Sequence, residues 1–205
     1  RLRDVVRKGV TEEQIFRAVG HLIENGIVNL RLYFMVGLPT EQEADIDAIV
    51  DLTRRIGHHA VKTAKGTRRF RRITLSVNQF IPKPATPFQW SPLTDAALVR
   101  KRIQRIKRAL GKERSVSVIH DLPKWNYIQA LLSLGDRLVG EVLLAVHANG
   151  GNWPQALKSV NVNADYYVYR EKDPGEILPW DFIDHGVSRE FLLEEYRKAM
   201  EQGRG

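Results

Sequence analysis

The 205-residue chain contains no cysteine. Without thiols it can form no disulfide, and it supplies neither a Cys-ligated zinc nor a Cys-ligated iron–sulfur site of its own. No apolar run approaches the ~18 residues that a membrane helix needs, and no signal peptide opens the chain. It is therefore expected to be cytoplasmic, with no membrane partner. No internal repeat is visible. Acidic residues are scarce, 24 Asp and Glu against 32 Lys and Arg, for a formal net charge of +8. That balance permits an acidic partner without requiring one. The chain starts at Arg1 without Met, in a charged segment, and is expected to be a piece of a longer protein. With 43% hydrophobic residues it can still bury a core. Its length suits one domain, or one domain with an extension.

The most informative stretch is Leu30 to Glu41, Leu-Arg-Leu-Tyr-Phe-Met-Val-Gly-Leu-Pro-Thr-Glu. Its first part is a short, nearly unbroken apolar run, which predicts a strand buried on both faces of a parallel sheet. Gly37-Leu-Pro39 forces a turn. Thr40, three residues before Glu43, reads as a capping box that starts a helix. Ligands of α/β folds gather at such strand C-termini, where helix N-terminal amides point. An ordinary structural turn is the competing reading.

The remaining periodicities organise the chain. Thr11 and Gln14 form a capping box before the apolar positions Ile15, Val19 and Leu22, and Asn25-Gly26 ends that helix. A helix is expected from Glu41 to Ile56, then a polar loop from His58 to Arg72. Ile73 to Ile81 reads as a strand. Thr74, Ser76 and Asn78 share one face of it, either lining the lumen of a barrel or facing solvent from an edge strand. Pro82, Pro84 and Pro87 exclude helix and stiffen a loop that Phe88 and Trp90 pin. Ser91-Pro92 reads as the next helix start. Ala96, Val99, Ile103, Ile106 and Leu110 recur at helical spacing, and Gly111 stops that run. A short strand at Val116 to Ile119 and helices over 124–134 and 137–149 follow. Residues 152–168 have mixed character. Asp173-Pro-Gly175 is a turn, and Ser188 caps a final amphipathic helix.

Three segments in this order carry a resemblance: Lys8-Gly9, Tyr33-Phe-Met-Val-Gly-Leu-Pro-Thr-Glu41 and Phe80-Ile-Pro-Lys-Pro84. The sharpest marker is Pro82-Lys-Pro-Ala-Thr-Pro-Phe-Gln-Trp90, supported by Leu134-Gly-Asp-Arg137 and Pro179-Trp-Asp-Phe-Ile-Asp-His-Gly-Val187. The chain resembles the second half of the radical S-adenosylmethionine core, in the branch linked to cobalamin-binding domains. The resemblance implies an α/β fold, the second half of a partial (β/α)6 TIM-like barrel over residues 1–90, with a mainly helical C-terminal extension over residues 91–205. In that superfamily a Cys-x3-Cys-x2-Cys loop holds a 4Fe–4S cluster, which binds S-adenosylmethionine and cleaves it to a 5′-deoxyadenosyl radical. Those cysteines are absent here, so the resemblance implies an enzyme in full-length form and an inactive fragment in isolation. Cobalamin is a further candidate cofactor. The resemblance assigns cofactor binding to Val36, Gly37 and Leu38 after one strand, and to Phe80, Ile81 and Pro82 after the next, largely through backbone. Ala85 departs from the pattern, which often has His there. No catalytic residue is assignable, because the cluster carries the chemistry.

Other constellations admit other functions. Lys62, Lys65, Arg68, Arg69, Arg71 and Arg72 form one cationic cluster, and Arg100, Lys101, Arg102, Arg105, Lys107 and Arg108 another. Together they suggest a basic RNA-binding module. Against that, the second cluster reads as exposed helix faces. Asp181, Asp184 and His185 are spaced as weak metal ligands and read better as a structural latch, so no metal is expected. His58-His59 is expected to be solvated. Trp125, Tyr127, Tyr166, Tyr167 and Tyr169 are expected to pack rather than stack on bases. A half-barrel also leaves strand edges open, so a homodimer of the fragment is a third expectation.

Overall fold

The structure is a computed structural model that describes residues 1–64 and 70–204. The chain divides into two compact units: Arg1–Gln79, Ala97–Asp121 and Ala199–Gly205 in the first, Phe80–Ala96 and Leu122–Lys198 in the second.

The first unit is an α/β fold. Helices α1 (Leu2–Val5) and α2 (Glu12–Glu24) lead to strand β1 (Asn29–Val36). Helix α3 (Glu43–Thr63), strand β2 (Arg72–Gln79), helix α4 (Ala96–Leu110) and strand β3 (Val116–His120) follow. The three strands form a parallel sheet in the order β1-β2-β3, with Leu30 beside Ile73, Val36 beside Gln79 and Ile73 beside Val116. Parallel neighbours need long crossovers, and here α3 and α4 lie within them. Both helices bury apolar stripes on one sheet face. Val36, Leu75 and Val77 pack with Ile46, Ile49 and Val50 of α3 and with Val99, Ile103 and Ile106 of α4. Leu30 and Ile73 pack with Leu52 and Ile56 of α3 and with Val19 and Ile23 of α2. Thr11 caps α2 as its sequence predicts, in a reciprocal box with Gln14.

The opposite face is where β1 departs from expectation. Leu30, Leu32, Phe34 and Val36 turn toward the helices, whereas Arg31 and Tyr33 are exposed, Tyr33 by 67%. β1 is thus covered on one face rather than two. Arg31 lies over the Tyr33 ring at 5.3 Å, which lets this face meet water. On β2 the same face carries Thr74, Ser76 and Asn78. β2 is the central strand, so the edge-strand reading of that polar set is wrong, and Ser76 is buried.

Three helix boundaries also move. α3 begins at Glu43, not at Glu41, with Gln42 and Asp45 as its reciprocal capping box in place of Thr40 and Glu43. Thr40 has φ +66°, which is incompatible with a helix start. α3 also runs on through His58 and His59 to Thr63, because the small residues Ala60 and Ala64 continue its buried stripe. His59 is accordingly not solvated: its ring meets Phe16 edge-on at 5.4 Å. α4 begins at Ala96, and Ser91 ends a 3-10 turn over Pro87–Trp90 instead of starting a helix. Proline at the first position of a helical turn removes no needed donor, which explains that turn in a segment expected to be extended. Lys65 to Arg69 of the first cationic cluster lie outside the described residues.

The second unit is helical: α5 (Pro123–Leu134), α6 (Val139–Ala148), α7 (Trp153–Ser159), α8 (Ala164–Tyr169) and most of α9 (Arg189–Arg204). Leu93, Ala130, Leu131, Val139, Val142, Ala164 and Val168 form its core. Of the five aromatics expected to pack, Tyr127 and Tyr169 do, with ring centroids 5.7 Å apart. Trp125 and Tyr166 are half exposed instead, beside Lys124 and Arg170. Ser188 caps α9 by accepting from the Phe191 amide at 3.2 Å. Among the described residues no helix is long and apolar enough to cross a membrane.

Candidate functional site

The loop from β1 to α3 is the most constrained polar feature of the first unit. Gly37 adopts φ +80°, a region open to glycine at little cost. Its amide donates to Glu41 Oε2 at 2.8 Å, and the Glu41 amide donates to Leu38 O at 3.1 Å. The loop therefore closes on itself around a carboxylate. Arg102, reaching across from α4, donates to the same Oε2 at 2.6 Å and to the Glu41 carbonyl at 3.0 Å. Both side chains are buried, Arg102 at 8% exposure and Glu41 at 0%.

Burial raises the Glu41 pKa above its ordinary value of 4.5, against the Gly37 amide and the Arg102 guanidinium, which lower it. Glu41 Oε1 and Thr40 Oγ1 are buried and lack hydrogen-bond partners among the described residues. Thr40 is held by its neighbours: Arg1 donates to its carbonyl at 3.1 Å, to Gly203 O at 2.7 Å and to the Asp45 carboxylate. Glu41 and Arg102 were not among the site residues expected from sequence. The available signal was an acid closing Gly-Leu-Pro-Thr-Glu immediately before a helix, opposite a cation at an otherwise apolar edge of the next helix.

The six residues expected to hold a cofactor fall three in each unit. Val36 and Leu38 are buried, with Val36 in the helix-side core. Gly37, just past the end of β1 at φ +80°, presents no side chain. In the second unit Phe80 meets Phe88 edge-on at 5.4 Å, Ile81 packs on the Leu93 core and Pro82 is buried.

The proline-rich segment and the Pro179-Trp-Asp segment, named together from sequence, are joined by one side chain. Buried Gln89 accepts from the Ala85 amide at 3.0 Å and from Trp180 Nε1 at 2.6 Å. Ala85 reaches that position with φ +55°. Lys83 donates to Ser133 Oγ at 3.1 Å, and burial pushes its pKa below the ordinary lysine value. Asp181 accepts from the Leu178 amide at 2.8 Å and pairs with Arg189, while Asp184 accepts from the Gly186 amide at 2.8 Å. These carboxylates brace their own turns. Among the described residues no three His, Asp or Glu side chains converge on a point that would hold a metal. A cavity of about 330 Å³ lies beside them, lined by Phe182, Ile183, Val187 and Leu192 as well as by Asp184 and His185.

The second cationic cluster is divided by the fold. Arg102 is buried, not exposed, and Arg105 pairs with Asp47 at 2.6 Å and Glu43 at 3.0 Å. Arg100, Lys101, Lys107 and Arg108 remain exposed.

No family model matches the chain, and no solved structure matches it. Over 175 residues, 85% of the chain, it is 30% identical to a protein of Methanocaldococcus jannaschii described as uncharacterized protein MJ0966. The chain spans 36% of that relative's length.

Proposed function

We propose that the chain is the C-terminal part of a radical S-adenosylmethionine enzyme, with β1 and β2 as the fifth and sixth strands of its partial (β/α)6 barrel, β3 as a further parallel strand beside β2, and the second unit as its helical extension. One observation supports this reading above the others. The parallel strands β1 and β2 end level with each other, Val36 beside Gln79, and β1 runs directly into Gly37, which has no side chain and turns the chain at φ +80°. A flat ring can approach a backbone there.

The residues present do not fit the iron–sulfur cluster, since the chain has no thiol. Its ligands belong to a longer protein, and no step through it is assigned to this chain. When bound, S-adenosylmethionine would supply the carbon–sulfur bond that is cleaved. The chain's own part is positional. Glu41 and Arg102 hold the Gly37 loop in one shape, and Val36 and Leu38, anchored in the core, keep that loop at the end of the sheet.

The test is anaerobic expression of the parent protein that contains this chain, followed by an assay of 5′-deoxyadenosine release from S-adenosylmethionine with dithionite. Release that depends on both reagents is expected. A parent without Cys-x3-Cys-x2-Cys and without release would overturn the reading. The isolated chain is expected to show no cluster absorbance after iron and sulfide reconstitution.

A further inference from the structure

Two basic stretches, far apart in sequence, meet at one rim of the sheet. α3 and α4 each run back toward the start of the next strand, so their C-terminal ends lie at the strand N-termini. That rim carries Lys62 in the last turn of α3, Arg71 and Arg72 at the start of β2, Arg108 in the last turn of α4, and Lys112 and Arg114 between α4 and β3. All six are exposed. β2 and β3 are paired neighbours, and the Ile73 amide donates to Ser115 O at 2.7 Å. Arg71, Arg72 and Arg114 therefore stand at the starts of adjacent strands, whose spacing is about 4.8 Å.

The rim is short of acid. Glu113 is engaged by Arg54 at 3.1 Å, and Glu24, at the end of α2, lies 3.6 Å from His21. No acidic residue occurs in the sequence from Leu52 to Thr94. Among the described residues no carboxylate pairs with any of the six cations, in contrast to Arg102 and Arg105 on the same helix. Cations in the last turns of α3 and α4 complement the helix dipoles, which accounts for Lys62 and Arg108. It does not account for Arg71, Arg72 and Arg114. Like charges on neighbouring strands are unfavourable.

We propose that this rim is a nucleic-acid-binding surface that grips the phosphodiester backbone. Four of the six cations are arginines, whose planar fork matches phosphate oxygens. From Arg108 to Arg114 the only large apolar side chain, Leu110, is buried, so the stretch lacks the apolar anchor of a membrane-surface segment. Binding through the backbone is indifferent to sequence and strongly salt-dependent. The rim lies at the strand N-termini, away from the Gly37 loop, so it tethers a nucleic acid instead of presenting it to that loop. The inference is independent of the radical reading.

The experiment uses the 205-residue chain and fluorescein-labelled single-stranded RNA, duplex RNA and DNA, followed by anisotropy at low and physiological salt. Binding to at least one of these is expected at low salt, weakening by roughly tenfold or more as salt rises through the physiological range. The triple reversal R71E/R72E/R114E should abolish it, while K158E on α7 should leave it unchanged. A second triple variant, R71Q/R72Q/R114Q, should lose binding with a melting temperature no lower than the parent's, which separates loss of contact from loss of fold. Absence of binding at low salt would overturn the proposal, as would a triple reversal that binds normally. Capture by phosphatidylserine vesicles or polyglutamate, without capture of any nucleic acid, would also overturn it.

Discussion

Arg102 Nη1 lies 2.6 Å from Glu41 Oε2, and water reaches almost none of either side chain. This contact ties the middle of α4 to the loop that leaves β1. It spans 61 residues of sequence and joins the parts of the fold that position Gly37.

Breaking that contact from one side should be costly. Arg102→Ala strands a buried carboxylate, a change worth about 3–5 kcal/mol. Arg105→Ala, three residues away, removes half-exposed pairs to Glu43 and Asp47, each worth roughly 0–1 kcal/mol. Urea unfolding of the two variants compares them directly. Equal losses would mean that Arg102 is not the tie inferred here.

The Glu41 carboxyl should also leave a mark on pH dependence. Burial raises its folded pKa above 4.5, while the unfolded chain keeps the ordinary value. From that ordinary value up to the raised one, the folded state binds more protons. The Glu41 contribution to stability is therefore present in acid and lost as pH rises through the folded pKa. Subtracting the stability–pH curve of Glu41→Gln from that of the parent should show this decline. A flat difference curve would contradict it.

Lys172 should give the opposite signature. Its residue is 3% exposed, and among the described residues its amine donates only a long 3.4 Å contact to Tyr167 O. Burial, reinforced by Arg170, lowers its pKa from 10.5 to about 8. Between these values the unfolded chain binds more protons, so stability rises as the solution becomes more alkaline. Lys172→Met should remove that rise and stabilise the protein at neutral pH. Chemical denaturation across the window reads both effects.

Gly203 is required by the shape of Thr40. A Cβ at position 203 would overlap the Thr40 side chain. Gly203→Ala should destabilise by about 1–3 kcal/mol, as overpacking does. Thr40→Gly removes both the obstacle and the strain of a β-branched residue at φ +66°. In a double-mutant cycle, Thr40→Gly should cancel most of the Gly203→Ala cost. Additive melting shifts would show that the two positions do not touch.

On the proposed radical S-adenosylmethionine reading, Gly37→Val in the longer protein should raise the KM for S-adenosylmethionine more than it lowers kcat, because the branched side chain blocks approach to the backbone and adds strain at φ +80°. Unchanged kinetics in a folded variant would remove Gly37 from the site.

Local order was legible where a short pattern decides it. The Thr11 and Gln14 box, the Asn25-Gly26 stop and the Ser188 cap all rest on contacts within a few residues. The parallel pairing of β1 and β2 was implied by the strand, helix, strand order, since a helical crossover returns the chain in the same direction. His59 was harder. Its environment depends on Phe16, which arrives from a different helix. The start of α3 was misplaced because Thr40 satisfies the spacing of a capping box while its backbone does not.

The amino-acid order determined the elements, the lack of thiols and the excess of cations, all of which are local or additive properties. Tertiary structure decided what became of the charges. Six cations on α4 look alike in sequence. Only the packing of α4 on α3 places Arg102 and Arg105 against Glu41, Glu43 and Asp47. Only the pairing of β2 with β3 leaves Arg71, Arg72 and Arg114 together at an acid-poor rim. Charge interactions fall with distance and dielectric, so which cation is neutralised depends on neighbours brought in from far along the chain.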